Sequence, residues 1–238
     1  MRVTERLRRL SLYAALAALL LVTGCASAPL AKETSLTDLV VAGDINAIKK
    51  FYANQEQLNQ RDAQGLYPLH YAVQRGDPQI AEILIVLGAK PDVTDPAGKS
   101  PLRYAVDRKQ PAMASMLVDR SANPFVADAS GSTPADAALL AGPEMIRAVF
   151  NTKNINSSGQ DGRTVLHAAS DKLMVNEVGV LLDLGASVQT KDRADRTALD
   201  LALLYPDKKE AAMIAEKLIL RGASPSFPEF AWFATTVR

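Results

Sequence analysis

The sequence holds a single cysteine, Cys25, so no disulfide can form within the chain. It holds two histidines and one tryptophan, and aromatic residues make up only 5%. Neither sign of charge dominates: 27 Lys and Arg face 26 Asp and Glu. Setting aside residues 1–24 removes four Arg and one Glu and leaves 23 basic against 25 acidic. A near-neutral chain lacks the basic footprint that binding to nucleic acid requires. No phosphate loop, metal-ligand spacing or nucleophile elbow is found, so the sequence points to no catalytic residue, metal, cofactor or small-molecule substrate. No Gly/Ser-rich or Pro-rich linker divides the chain.

What is present is a repeat. Gly65-Leu66-Tyr67-Pro68-Leu69-His70-Tyr71-Ala72 returns as Gly98-Lys99-Ser100-Pro101-Leu102-Arg103-Tyr104-Ala105. It returns again from Gly131, from Gly162 and, without the glycine, from Asp195, at steps of 33, 33, 31 and 33 residues. A second landmark follows: Leu87-Gly88-Ala89, Arg120-Ser121-Ala122, Leu184-Gly185-Ala186 and Arg221-Gly222-Ala223. A small residue there suits a helix that ends in the left-handed conformation. Apolar residues at three- and four-residue spacing precede it, such as Ile80, Ile83, Leu84 and Leu87, and predict a helix with one buried face. Each unit therefore reads as turn, helix, turn, helix, loop. Ser or Thr caps the first helix, and Pro stands at its first position where its missing N–H costs nothing. Tyr67 cannot cap in that way. A fixed period of this length implies stacked units that bury a shared core only together.

These motifs resemble the ankyrin repeat, whose signature runs Thr-Pro-Leu-His-x-Ala and closes on Leu-Leu-x-x-Gly-Ala. The resemblance implies an all-α solenoid of helix-turn-helix units over 35–224, divided near 35–61, 62–94, 95–127, 128–158, 159–191 and 192–224. The first unit is degenerate and reads as a cap. The third clear unit is two residues short before Ile155-Asn156, which predicts irregularity between Phe150 and Gly162. Pro206 predicts an early end to the first helix of the last unit and an exposed loop around Tyr205–Lys209. His70 and His167 share one motif position and are expected to hydrogen-bond backbone. Arg103, Asp136 and Asp200 replace them elsewhere. Asp62, Asp95, Asp128 and Asp192 recur at another position and read as turn formers. The segment 225–238 carries Phe227, Phe230, Trp232 and Phe233 and is expected to cover the end of the stack.

In the family, turn tips and first-helix ends line a concave binding groove. On this chain that implies partner-binding roles for Leu66, Arg75, Lys99, Arg108, Leu140, Arg163, Lys172, Arg196, Leu204 and Tyr205. Four of these are apolar where water is expected, and Lys99, Arg108, Arg163 and Arg196 form a basic row. Such a surface suits a partner protein.

The N-terminus carries a different message. Arg2, Arg6, Arg8 and Arg9 precede the apolar run Leu10–Val22, whose 13 residues are too short to span a bilayer comfortably. The run ends Leu21-Val22-Thr23-Gly24-Cys25 and resembles the leader of a bacterial lipoprotein. That implies cleavage after residue 24, acylation of Cys25 and a short tether over 25–34. Ala26, rather than Asp, after the cysteine favours the periplasmic face of the outer membrane. The expected function is a lipid-anchored periplasmic module that binds another protein as adaptor, scaffold or inhibitor. An immunity protein that masks a toxin is the alternative, and an enzyme or metal-dependent factor built on the stack ranks below it. Cys25→Ser should release the chain from the membrane fraction with its fold intact; a variant still held there on envelope fractionation would contradict acylation.

Overall fold

A computed structural model describes residues 35–50 and 55–226. The leader, Cys25 and the aromatic residues from 227 onward lie outside these. The described chain from Leu36 is one compact unit. It is all helix and loop, apart from an isolated bridge between Ser158 and Thr164.

Six pairs of helices follow one another among the described residues. The first members of the pairs are α1 (Leu36–Ala42), α4 (Pro68–Arg75), α6 (Pro101–Asp107), α8 (Pro134–Ala141), α10 (Val165–Asp171) and α12 (Ala198–Leu203). The second members are α2 (Ile45–Lys50), α5 (Pro78–Leu87), α7 (Pro111–Asp119), α9 (Pro143–Val149), α11 (Val175–Asp183) and α13 (Lys209–Leu220). A short extra helix, α3 (Gln55–Leu58), follows the first pair and packs on α5. First helices touch the next first helices, and second helices the next second helices, so the order in space is the order in sequence.

The core runs through all six units. Leu69, Ile80, Leu84, Leu102, Leu117, Ile146, Leu166, Leu181, Leu199 and Leu218 are fully or almost fully buried. Each second helix after the cap closes as its sequence predicts, except α9. Ser121 takes φ 69°, beside Gly88, Gly185 and Gly222 in the same region. The following alanine N–H then reaches back to the helix: Ala89 to Leu84 O, Ala122 to Leu117 O, Ala186 to Leu181 O and Ala223 to Leu218 O, at 2.9–3.0 Å. These alanines are buried, so a larger side chain would lift the loop off the helix.

The two residues missing from the third unit are lost in separate places. Gly142 joins α8 directly to Pro143, where the unit before it spends Arg108, Lys109 and Gln110 on the same turn. The second loss lies after α9. There Asn154 donates to Val149 O at 2.8 Å and accepts from the Asn151 N–H at 2.8 Å, which lets Phe150 and Ile155 bury. Pro206 acts as expected: α12 stops at Leu203, and α13 begins only at Lys209.

The turns between units form from the recurring Asp. Asp95 Oδ1 accepts from the Ala97 and Lys99 N–H groups, and the Asp95 N–H donates to Lys99 O. Asp62, Asp128 and Asp192 repeat this arrangement. In the fourth unit Gly159 stands in the Asp position, and Asp161 accepts from the Arg163 N–H instead. In the last unit Asp195 replaces the turn glycine and still takes φ 62°.

Successive turns are fastened to each other at two junctions. The Ala129 N–H donates to Ala97 O at 2.9 Å, and the Arg193 N–H to Asp161 O at 3.1 Å. A Cβ placed on Gly98 would therefore meet Ala129 N at 2.9 Å, whereas one on Gly131 would meet nothing within 4 Å. Both glycines have φ near 80°. Gly131→Ala should cost only the left-handed strain, about 1–2 kcal/mol. Gly98→Ala should cost about 1–3 kcal/mol more through backbone overpacking. Denaturant melts of the two variants check this, and equal losses would contradict the open junction at Gly131.

Candidate protein-binding face

The third residue of each first helix joins its unit to the next. His70 is fully buried and accepts the Tyr67 N–H on Nδ1 at 3.3 Å. That fixes the proton on Nε2, which donates to Lys99 O in the following turn at 3.1 Å. His167 repeats this with the Thr164 N–H and Arg196 O. Arg103 reaches Asp128 Oδ2 and Ser132 Oγ, each at 3.0 Å. Asp200 caps its own helix through Thr197 and accepts the Ser226 N–H at 2.9 Å. Asp136 caps through Thr133, but its link forward comes from Lys172 at the far end of α10, at 2.7 Å.

Both histidines have their pKa lowered by burial, which outweighs the raising effect of the backbone carbonyl each one meets. Their Nδ1 atoms are already occupied as acceptors, so protonation would also break the helix cap.

The residues proposed to bind a partner come together on one side of the stack, on turn tips and first-helix ends. One helix position reads Val41, Gln74, Asp107, Leu140, Asp171 and Leu204 along the units, and the next reads Ala42, Arg75, Arg108, Ala141, Lys172 and Tyr205. Leu140 is 75% exposed, Val41 54%, Leu204 51% and Tyr205 38%. Leu66 is half-buried in its turn. Val41 escaped the sequence analysis because the first unit was read only as a cap. Its signal was the Val40-Val41 doublet, in register with Leu139-Leu140.

The basic row is largely neutralised within the fold. Lys99 pairs with Asp107 at 2.8 Å, Arg163 with Asp171 at 2.8 Å, Lys172 with Asp136 at 2.7 Å and Arg196 with Asp192 at 2.8 Å. Arg75 donates to Val41 O at 2.7 Å and packs on Gly43, so it fastens the cap to the second unit. Among the described residues only Arg108 of these cations makes no ion pair or side-chain hydrogen bond. The face is thus an alternation of apolar side chains and closed ion pairs rather than a positive strip. Charge reversal at Arg196 would set a carboxylate against the buried Asp192 and damage the turn itself.

The Asp carboxyls serve structure too. Burial raises the Asp62 and Asp192 pKa values, but hydrogen bonds from Tyr71, Arg196 and the turn N–H groups prevail and hold both below the usual range. Tyr71 and Tyr104 donate to Asp62 and Asp95; burial and those carboxylates push their hydroxyls up to about 12. Among the described residues no three His, Cys, Asp or Glu are grouped to hold a metal ion, and no helix is long and apolar enough to cross a membrane.

Comparisons with known proteins agree with this architecture. A family model of ankyrin repeats in three copies matches residues 36–128. A human protein, protein phosphatase 1 regulatory subunit 27, is 38% identical over 61 residues, which is 26% of this chain and 40% of that protein's length. The ankyrin-repeat domain of Bcl-3 superposes with TM-score 0.60 at 22% identity, over 81% of this chain and 88% of the other. The ankyrin-repeat protein EF0377 gives TM-score 0.53 at 23% identity, over 80% and 98%. A chain from the Bdellovibrio bacteriovorus complex of the predatory endopeptidase Bd0816 with immunity protein Bd3460 gives TM-score 0.51 at 24% identity, over 77% and 97%.

The two histidines generate a pH prediction. Their folded pKa values lie below the ordinary 6.5, so the unfolded chain binds more protons as pH falls. Stability should be full above pH 6.5 and decline as pH falls through it, before any carboxylate with a lowered pKa titrates. Denaturant melts between about pH 8 and pH 5 check the sign; flat stability over that window would contradict the buried neutral histidines. The ankyrin signature, the matched family model and the shared fold lead to one conclusion: this chain is an ankyrin-repeat protein.

Proposed function

We propose that this chain is a lipid-anchored envelope protein that binds another protein through the face made by its turn tips and first-helix ends. The observation that carries the reading is the row Val41, Leu140, Leu204 and Tyr205, apolar and exposed on one side. Large apolar side chains left in water beside closed ion pairs are what a protein interface uses as anchors. The leader ending in Cys25 supports export and anchoring, and the chain then offers no thiol to an oxidising compartment.

The partner we favour is an exported protein met in the same compartment, with this chain acting as adaptor or inhibitor. An immunity role is the more specific form. It is supported by the likeness in fold to a chain from the endopeptidase–immunity protein complex, of which this chain covers 97%. The stack would then cover a surface of the enzyme rather than perform chemistry itself.

Capture of the partner from detergent-solubilised envelope with the acylated chain, followed by titration, tests the face. Leu140→Ser with Leu204→Ser should weaken binding at least about tenfold, or about 1.4 kcal/mol. Both side chains are mostly in water, so melting should change little. Val86→Ser, on a second helix and 65% exposed, is the control and should bind normally. Normal binding by the double variant with a loss in Val86→Ser would place the interface on the second helices and overturn the reading.

A further inference from the structure

The junction between the third and fourth units differs from the other four. At those, the third residue of the first helix meets the following turn or, at Asp200, the segment that takes its place. Here Asp136 carries no donor toward the Arg163 carbonyl, the counterpart of the Lys99 and Arg196 carbonyls that receive His70 and His167. The Gln160 N–H and Ser130 carbonyl, counterparts of the Ala129–Ala97 and Arg193–Asp161 pairs, are not joined. The Gly131 tip is uncovered. Of the five contacts between first helices, that of α8 with α10 is the smallest.

The result is a cleft of about 360 Å³, lined by Phe125, Gly131, Asp136, Gln160, Asp161 and Arg163 among others. Its walls hold an excess of negative charge. The Arg163 guanidinium is turned to Asp171, and Lys172 answers Asp136. Asp161 has no cation paired to it among the described residues.

We propose that this cleft receives a flat cationic side chain, an arginine, presented by the partner protein. The inference rests on the protein-binding reading above. A guanidinium supplies what the junction lacks: N–H donors for the Ser130 and Arg163 carbonyls, a positive charge for Asp161 and a planar face for the Phe125 ring. It thus takes the place that His70, Arg103 and His167 fill from within the chain. A lysine offers the charge without the plane, and a carboxylate would face Asp161 and Asp136 unpaired.

The test is an NMR titration of the isotope-labelled full chain in detergent with doubly capped arginine, capped lysine and capped glutamate. Capped arginine should shift the amides of Gly131, Gln160 and Gly162 saturably and leave Gly98, Ala129 and Arg193 unmoved. Capped lysine should bind several-fold more weakly and capped glutamate not at all. Asp161→Asn should weaken the arginine response several-fold. Asp136→His, which supplies the missing donor beside Thr133, should abolish it and raise the melting temperature. Shifts spread equally over all junctions, or an equal response to glutamate, would overturn the proposal. Partner binding separates the two readings. If Asp136→His binds the partner fully while Leu140→Ser/Leu204→Ser does not, the arginine receptor falls and the protein-binding face stands. If both variants bind normally, the face itself falls.

Discussion

The stack depends on one reach, from the third residue of each first helix to the turn of the unit that follows. The position is buried and polar, so whatever occupies it must find a partner there. Histidine does this with both ring nitrogens, one holding its own cap and one holding the next turn. Arginine extends to a carboxylate and a hydroxyl. Aspartate caps its own helix and must be met by a donor from elsewhere: Ser226 at Asp200 and Lys172 at Asp136. The same geometry thus tolerates three chemistries, and the junction is tight or open according to whether the side chain can donate forward.

The face described for partner binding follows from the same construction. Helix ends and turns that hold units together also fix the side chains that project from them. Because Lys99, Arg163, Lys172 and Arg196 are spent on carboxylates of their own chain, the face offers little net charge. Its distinguishing content is apolar, and recognition by shape and burial fits it better than long-range steering.

Much of the fold was legible in the sequence because it is periodic. The Thr-Pro turns, the Gly-Ala helix endings, the recurring Asp and the break at Pro206 each have a local physical cause, and each appears where its residues stand. The face was legible in part. Leu140, Leu204 and Tyr205 stand out against the motif, since nothing in the repeat needs them apolar. The fate of the basic row was not legible, because Lys99–Asp107 and Arg163–Asp171 span eight residues and Lys172–Asp136 spans two units. The open junction was hidden for a similar reason. The missing residues and the substitutions Asp136 and Gly159 are each minor alone, and only the superposed turns show that they fall at one place.

Native-state hydrogen exchange at single amides tests the account most directly. Ala129 and Arg193 donate across their junctions and should exchange slowly, with the opening of the surrounding units. Gln160, in the equivalent place at the third junction, should exchange faster by orders of magnitude. Protection of Gln160 equal to that of Ala129 and Arg193 would contradict the claim that forward donation from the first helix decides which junctions close.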